Sequence, residues 1–356
     1  NGHLRTPIGD LTAPEHVLEA ARGRDLVLLG VRPEHFEGEW MSDNNRYVAL
    51  NDSIFVARGE DVAIDIEGPT GERVHTFAGS IAPESACTSV QLHLQVSPAD
   101  FAPHWNAAQA VCGPQLALAA NSPYLFGQRL HAETRIELFA QATDTRPIEL
   151  KNQGVRPRVF FGERWVTSIF DLFEENVRYF PALLADTSDE DPIAVLEAGG
   201  TPRLPELCLH NGTVYRWNRP IYDTNDGRPH LRVENRVLPA GPTIADIMAN
   251  AAFYYGLVRA LAYEDRPIWT RLSFAAAEQN FRACARDGLD ARVYWPGIGD
   301  LTADELVLRH LIPTAERGLD DWGVAQSVRD RYLGILEGRC TSGVNGAVWQ
   351  TRAVER

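Results

Sequence analysis

The sequence has almost no lysine. Lys151 is the single lysine among 34 basic residues, and arginine supplies all the others. Biased codon usage is the simplest explanation of this skew, yet the skew still excludes some nucleotide sites. A P-loop needs the lysine of GxxxxGK[ST], and kinases need a strand lysine on the phosphates. Lys151 lies in the turn-like ELKNQGVRP and fits neither. Any phosphate contact must therefore come from arginine, which suits bidentate oxyanion binding.

Several other patterns are also missing. No apolar run reaches the roughly 20 residues of a membrane helix, and no charged-then-apolar leader opens the chain. The cysteines are odd in number, far apart and without a CxxC pair, so neither a disulfide framework nor a zinc site is predicted. A reducing cytoplasm is the expected compartment. The five cysteines are Cys87, Cys112, Cys208, Cys284 and Cys340.

Charge and composition limit the class of partner. The net charge of −14 argues against nucleic acid, because a phosphate backbone requires a basic surface. A local basic pocket for a small anion remains compatible with it. With 356 residues, 44% hydrophobic and 23% charged, the chain has an ordinary globular composition. Neither GxGxxG nor GxSxG occurs, which disfavours a dinucleotide fold and a serine hydrolase.

The order of predicted elements indicates an α+β fold with a helical C-terminal third. Strands are expected over 25–31, 61–69 and 89–97, and a hairpin is expected to join 213–219 to 230–238 through DTNDGRPH. Helices are expected over 12–23, 98–120, 132–143, 163–184, 243–263, 273–286, 302–316 and 326–337. Gly288, Gly318 and Gly338 stand where glycines end helices.

Two of these strands alternate between an apolar and a hydrogen-bonding face. In LRVENRVLPAGPT (231–243), Arg232, Glu234 and Arg236 share one face, and in SVQLHLQVS (89–97) His93 lies between Gln91 and Gln95. Two interpretations stay open. The faces are solvated rows of ion pairs, or they line a cleft where carboxylate and imidazole hold Mg²⁺ or Mn²⁺ and guanidinium groups meet a phosphoryl group.

A set of longer phrases bears on that choice. The sequence contains LALAANSPYLFG, HNGTVYRWNRP, DLFEENVRYFPALL, AAFYYGLVRALA and VYWPG, together with the two polar strands. In these phrases, from about residue 14 to residue 350, the chain resembles the glutamate–cysteine ligase and carboxylate–amine ligase family. The resemblance implies one ligase-like domain over 1–356, mainly helical over 243–350. It also implies a glutamine synthetase-like antiparallel sheet that cups the active site, with helices packed outside.

The family activates the side-chain carboxylate of glutamate with ATP, and an amine such as cysteine attacks the resulting acyl phosphate, as in glutathione biosynthesis. By resemblance, Glu234 and His93 would hold Mg²⁺ or Mn²⁺. Arg236 and Arg135 would contact the phosphate being transferred. The positions expected to border or shape the nucleotide pocket are Arg216, Arg219, Arg232 and Asn121. For Asn121, a plain turn role is an equal alternative.

The resemblance fails at the front of the chain. Family members begin with a strand of pattern Gly-x-Glu-x-Glu, whereas residues 1–13 read NGHLRTPIGDLTA. Asp65 and Glu67 are interpreted first as loop-entry residues and second as substitute ligands. Two explanations stay open: a piece of a longer ligase, or a short, metal-deficient paralogue. The paralogue would act as a partner subunit or ligand-binding module, with a homo-oligomer or a partner chain supplying the missing strands.

Overall fold

The structure, a computed structural model, describes residues 2–6 and 9–13 as backbone and residues 44–355 in full. Strands and helices interleave up to about residue 240, and helices dominate afterwards. This confirms the predicted α+β class and the helical C-terminal region. No helix among the described residues is both long and apolar enough to cross a bilayer.

The strands are short. They are β1 Gly2–Thr6, β2 Gly9–Ala13, β3 Val62–Glu67, β4 Arg73–Ala78, β5 Leu92–Val96, β6 Tyr124–Leu125, β7 Gln128–Arg129, β8 Val159–Phe160, β9 Tyr215–Arg216, β10 Asn218–Asn225, β11 Arg228–Asn235, β12 Arg292–Trp295 and β13 Gly299–Thr302.

The α-helices vary from four to 19 residues. They are α1 Asn45–Arg58, α2 Phe101–Ala110, α3 Cys112–Ala119, α4 Arg135–Ala142, α5 Ile148–Asn152, α6 Ile169–Tyr179, α7 Pro192–Glu197, α8 Pro205–Asn211, α9 Ile244–Ala262, α10 Phe274–Asp287, α11 Ala303–Leu306, α12 Ile312–Asp321, α13 Gln326–Ser342 and α14 Gly346–Val354.

The largest sheet in the described part of the chain has three antiparallel strands in the order β10–β11–β5. The predicted hairpin is confirmed, but its turn is tighter than DTNDGRPH suggests. Asp226 and Gly227 close it, both with positive φ (49° and 71°), as a two-residue hairpin turn requires. The sheet therefore extends further toward the turn than the sequence predicts, and the remaining described sheets have two strands each.

One face of this sheet is core. Val233 is fully buried and Leu92 nearly so, and both belong to the main hydrophobic cluster. Helix α2 covers this side, and the indole of Trp105 donates a 2.9 Å hydrogen bond to the carbonyl of Asn218. Because side chains alternate along a strand, the opposite face is left for the polar residues.

Helices α9 and α12 pack closely through glycine. A Cβ at Gly256 would overlap the backbone of Ala315, and one at Gly318 would overlap the backbone of Gly256. The prediction that Gly318 ends a helix is therefore wrong, because it lies inside α12, where contact with α9 requires a missing side chain. Gly338 likewise lies inside α13, whereas Gly288 does cap α10.

Other boundaries also differ from the predicted ones. The expected helix over 98–120 is two helices that break at Val111, ahead of Pro114. The expected helix over 302–316 is interrupted by a π-helical turn at Val307–Leu311. The expected helix over 163–184 is only α6, which begins after a capping box at Ser168. Thr12 lies in β2, so no helix begins there; the rest of the helix predicted over 12–23 and the strand over 25–31 fall outside the described residues.

Candidate active site

Strand register brings three of the predicted site residues together. Glu234, on the central strand β11, lies opposite Arg219 of β10 and opposite His93 of β5. Directly opposed residues of antiparallel strands project from the same face, so all three side chains meet on the polar side of the sheet. The hydroxyl of Tyr255, on α9, donates to the backbone carbonyl of His93 (3.1 Å) and supports this strand from the helical side.

Glu234 is buried and heavily engaged. Only 2% of the residue is exposed. The Arg219 guanidinium binds both carboxylate oxygens, with Nε–Oε2 at 2.6 Å and Nη2–Oε1 at 3.2 Å. The Nε2 atom of His93 lies 3.4 Å from Oε1. A buried carboxylate needs such compensation, and the bidentate arginine supplies most of it.

Arg236 lies next to this pair but is bound differently. Its backbone N–H donates to the carbonyl of Trp217 (2.8 Å), which holds it just beyond the end of β11. Its Nη1 atom is 3.9 Å from Glu234 Oε2, too far for a hydrogen bond. Within the described residues no acceptor binds its guanidinium, although only 15% of the side chain is exposed. Burial lowers the pKa of Arg236.

Two further residues surround Arg236 that the sequence did not single out. The guanidinium carbon lies 5.9 Å from the centre of the Tyr215 ring. Glu84, in the short 3₁₀ turn Ala82–Ala86, interacts electrostatically with the same arginine. Burial raises the pKa of the Glu84 carboxyl, and the positive charge of Arg236 offsets part of this increase. No pattern could have indicated Glu84, because PES in a turn looks like ordinary surface.

Arg135 contacts the same loop, but its guanidinium donates hydrogen bonds to protein groups. Its Nε donates to Glu133 (3.0 Å) and its Nη2 to the carbonyl of Val237, one residue after Arg236. Glu133 is fully buried and Arg135 is 5% exposed. This ion pair therefore braces the backbone that presents Arg236.

Like Arg219, the other three residues expected at the nucleotide pocket bind protein groups. Arg216 is buried against Glu175 and Asn176 (3.0 Å each). Arg232 lies on the polar face and binds Asp223 at 3.2 Å. The side-chain amide of Asn121 donates to the carbonyl of Ala240 (2.9 Å), a contact that ties two loops together.

The imidazole of His93 is held toward its neutral form. Partial burial lowers the pKa of His93; Glu234 opposes this shift, while Arg232, Arg219 and Arg236 reinforce it. Cys87, which precedes β5 in the sequence, does not supply a thiolate, since burial raises the pKa of its thiol to about 12. The face therefore presents guanidinium groups and a neutral imidazole, with no nucleophilic sulfur.

The described residues do not form a divalent-cation site as they stand. No three carboxylate, imidazole or thiol groups converge among them. His93 and Glu234 are two candidate ligands, but Arg219 already occupies both oxygens of the carboxylate. Asp65, one of the two substitute ligands considered from sequence, is bound by Arg73 across the β3–β4 pair (2.6 Å).

Comparison with protein families decides what this arrangement belongs to. The model of glutamate-cysteine ligase family 2 (GCS2) matches residues 11–353. The chain belongs to this family. A comparison with curated proteins found no match. Glutamate-cysteine ligase family 2 is a family of ATP-dependent ligases that generally need Mg²⁺ and act on small molecules such as glutamate. The resemblance predicted from the sequence is thereby confirmed.

Proposed function

We propose that the protein is an ADP-forming carboxylate–amine ligase that joins the γ-carboxylate of glutamate to an amine, with cysteine as the first candidate. The observation that supports this most is Arg236: a largely buried guanidinium with unused donors, next to Glu234 and Arg219, in a chain of the glutamate–cysteine ligase family. A guanidinium whose donors are not used by protein acceptors can bind an oxyanion through paired, charge-assisted hydrogen bonds.

The chemistry explains why such an arginine is needed. The γ-phosphoryl group of ATP must approach a second carboxylate, and the two negative charges repel each other. Preorganised guanidinium donors stabilise the charge that develops on the phosphoryl oxygens, without rearrangement of solvent. Little covalent help is required from side chains, consistent with the protonated Cys87. Arg236 contacts the phosphoryl group in this proposal, while Glu234 holds Arg219 beside it.

The other predicted residues take supporting roles. Arg135 and Glu133 hold the loop after Arg236, and Arg232 adds positive potential beside His93. Arg216 and Asn121 border the nucleotide through the elements they fix. Mg²⁺, or Mn²⁺, enters the proposal through the family alone, because the described residues do not hold it and we assign it no step.

The test is release of ADP from ATP that depends on glutamate, an amine and Mg²⁺. Arg236→Gln should lower this turnover by about 10²–10³-fold, whereas Arg282→Gln should leave it unchanged. Arg282 is a matched control because it pairs with Glu278 on the exposed side of α10, one turn away along the same helix. Unchanged turnover in Arg236→Gln would refute the assignment.

A second candidate is a non-catalytic member of the family, acting as a partner subunit or a ligand-binding module. The observation in its favour is that Arg219 binds both oxygens of Glu234, so that this carboxylate already has a cationic partner in place of a metal. It predicts that ATP raises the melting temperature without any release of ADP. Copurification of a second chain, or self-association, would separate a partner subunit from a simple binding module.

The proposal also covers the cellular compartment, the domain organisation and the partners of the protein. All five cysteines are free, as expected of a protein from a reducing cytoplasm. Residues 1–356 are proposed to act as one ligase-like domain. The partners are small molecules, since the charge of −14 disfavours nucleic acid.

A further inference from the structure

A separate cavity lies where helix α9 ends. Its volume is about 340 Å³, within the lower range of small-molecule sites. Its walls come from the end of α9, the segment after it, the β12–β13 turn, the π-helical turn Val307–Leu311 and the start of α12. None of the residues of the candidate active site lines it.

The cavity has an apolar floor and a basic rim. The floor is formed by buried side chains, among them Leu261, Ile268, Trp295 and Leu311. The rim carries Arg271, Arg309, His310, Arg317 and a single carboxylate, Glu264. Two of the three arginines pair with glutamates, Arg271 with Glu264 and Arg309 with Glu305, so the unpaired positive charge at the rim is that of Arg317.

The carboxylate does not neutralise the whole rim. Glu264 is bound by Arg271 at 2.9 Å. Arg309 pairs with Glu305 (3.2 Å), which is outside the lining. Arg317 has only neutral partners in the described structure, the carbonyl of Pro313 (3.3 Å) and the hydroxyl of Thr314 (3.1 Å). This exposed guanidinium therefore has no carboxylate partner among the described residues and can bind an anion at the rim.

The backbone at this rim is also unusual. Val307–Leu311 is a π-helical turn between α11 and α12, and it carries Arg309 and His310. Such turns are rare and occur frequently at functional sites, because the inserted residue redirects the side chains that follow. His310 is exposed and lines the cavity, and its ring makes no hydrogen bond among the described residues.

We propose that this cavity binds a small organic anion, with a phosphate or carboxylate head on Arg309, His310 and Arg317 and an apolar body over Trp295. Guanidinium groups bind oxyanions through paired, charge-assisted hydrogen bonds. The floor contributes by removing apolar ligand surface from water. This site is independent of the proposed ligase activity.

The experiment follows tryptophan fluorescence during titration with phenyl phosphate, benzoate and inorganic phosphate. At least one of the two aromatic anions should quench saturably and bind more tightly than inorganic phosphate. Tighter binding of phenyl phosphate assigns a phosphate head, and tighter binding of benzoate a carboxylate head. Trp295→Phe should remove the quench. This result would show that the signal comes from Trp295 and not from the other seven of the eight tryptophans.

Three arginine variants locate the binding. Arg317→Gln and Arg309→Gln should each weaken the affinity by about tenfold, the value of one lost charge-assisted contact. Arg282→Gln should leave it unchanged; it is matched to Arg309, since each is exposed and pairs with a glutamate one helical turn earlier. Arg236→Gln should leave it unchanged as well, so the two proposals can fail separately. Absence of a saturable quench, or equal affinities of Arg317→Gln and Arg282→Gln, would overturn the proposal.

Discussion

A largely buried arginine in the C-terminal helices and one beside the three-stranded sheet differ in their hydrogen-bond partners. In the helices, Arg339 on α13 donates to the carbonyl of Leu118 (3.0 Å), to Asn250 (2.8 Å) and to Asp246 (2.7 Å). At the sheet, Arg236 is comparably shielded, yet no described acceptor binds its guanidinium. The fold therefore supplies hydrogen-bond acceptors for the guanidinium of Arg339 but not for that of Arg236.

The difference separates structural from functional roles. A satisfied guanidinium links α13 to α9 and to the end of α3, so its loss should be felt in stability. An unsatisfied one contributes little to the fold and carries a desolvation penalty. Proteins keep such groups where a ligand supplies the missing acceptors. Arg236 is therefore the better candidate for chemistry, even though both side chains have similar exposure.

The largest expected effect is on activity at the sheet. Arg236→Gln should lower ligase turnover by about 10²–10³-fold, the usual loss when one donor to a developing negative charge is removed. Its melting temperature should be unchanged or raised, because no described hydrogen bond is lost. Assays of ADP release and thermal unfolding, run side by side, measure both. If Arg236→Gln is strongly destabilised, Arg236 also has a structural role and the proposed difference from Arg339 is wrong.

The complementary change lies in the helices. Arg339→Leu should lower the free energy of unfolding by about 3 kcal/mol, since it strands Asp246 and two further acceptors. Denaturant unfolding gives this value, and Arg282→Leu on the exposed face of α10 is the control. If the two variants lose equal stability, Arg339 is not the structural counterpart of Arg236.

The helical region can also be probed without any charge. Gly256→Ala should destabilise by about 2 kcal/mol, because the new methyl group meets the backbone of Ala315 across the α9–α12 contact. Gly334→Ala is the matched control: it lies within α13 and its Cβ would meet open space. That variant should be neutral or slightly stabilising in the same unfolding measurement.

The smallest effect is a pH-dependent one beside Arg236. Burial raises the pKa of Glu84 above its ordinary value of 4.5, so the native state disfavours its charged form. This carboxylate therefore reduces stability at neutral pH, and the reduction disappears as pH falls through the raised pKa toward 4.5. Glu84→Gln should raise the melting temperature at pH 7 and lose that gain near pH 4.5. A gain independent of pH would show that charge is not the cause.

Much of the local structure was predictable from sequence. The alternation in 89–97 and 231–236 correctly separates a core face from a polar face, because side chains alternate strictly along a strand. Helix starts at Thr243 and Ser273 are also confirmed, since each side chain accepts a hydrogen bond from a backbone N–H of the first turn. The π-helical turn before α12 was not predictable, because its sequence, VLRHL, continues an ordinary helical pattern.

The candidate site was predictable only in part. His93, Glu234 and Arg236 do meet, and Arg219 joins them through the hairpin register. The engagement of Arg216 with Glu175 was not visible, because that partner comes from α6, far away along the chain. The role of Glu84 was hidden for the same reason.

The sequence by itself determined the strand alternation, the helix caps at Thr243 and Ser273 and the family of this protein, because each depends on residue order over short distances or on matching phrases. Only the tertiary structure decided which arginines are satisfied. Acceptors such as Asp246 and Glu234 reach their arginines from separate elements, and hydrogen bonding depends on atomic distances that residue order does not specify.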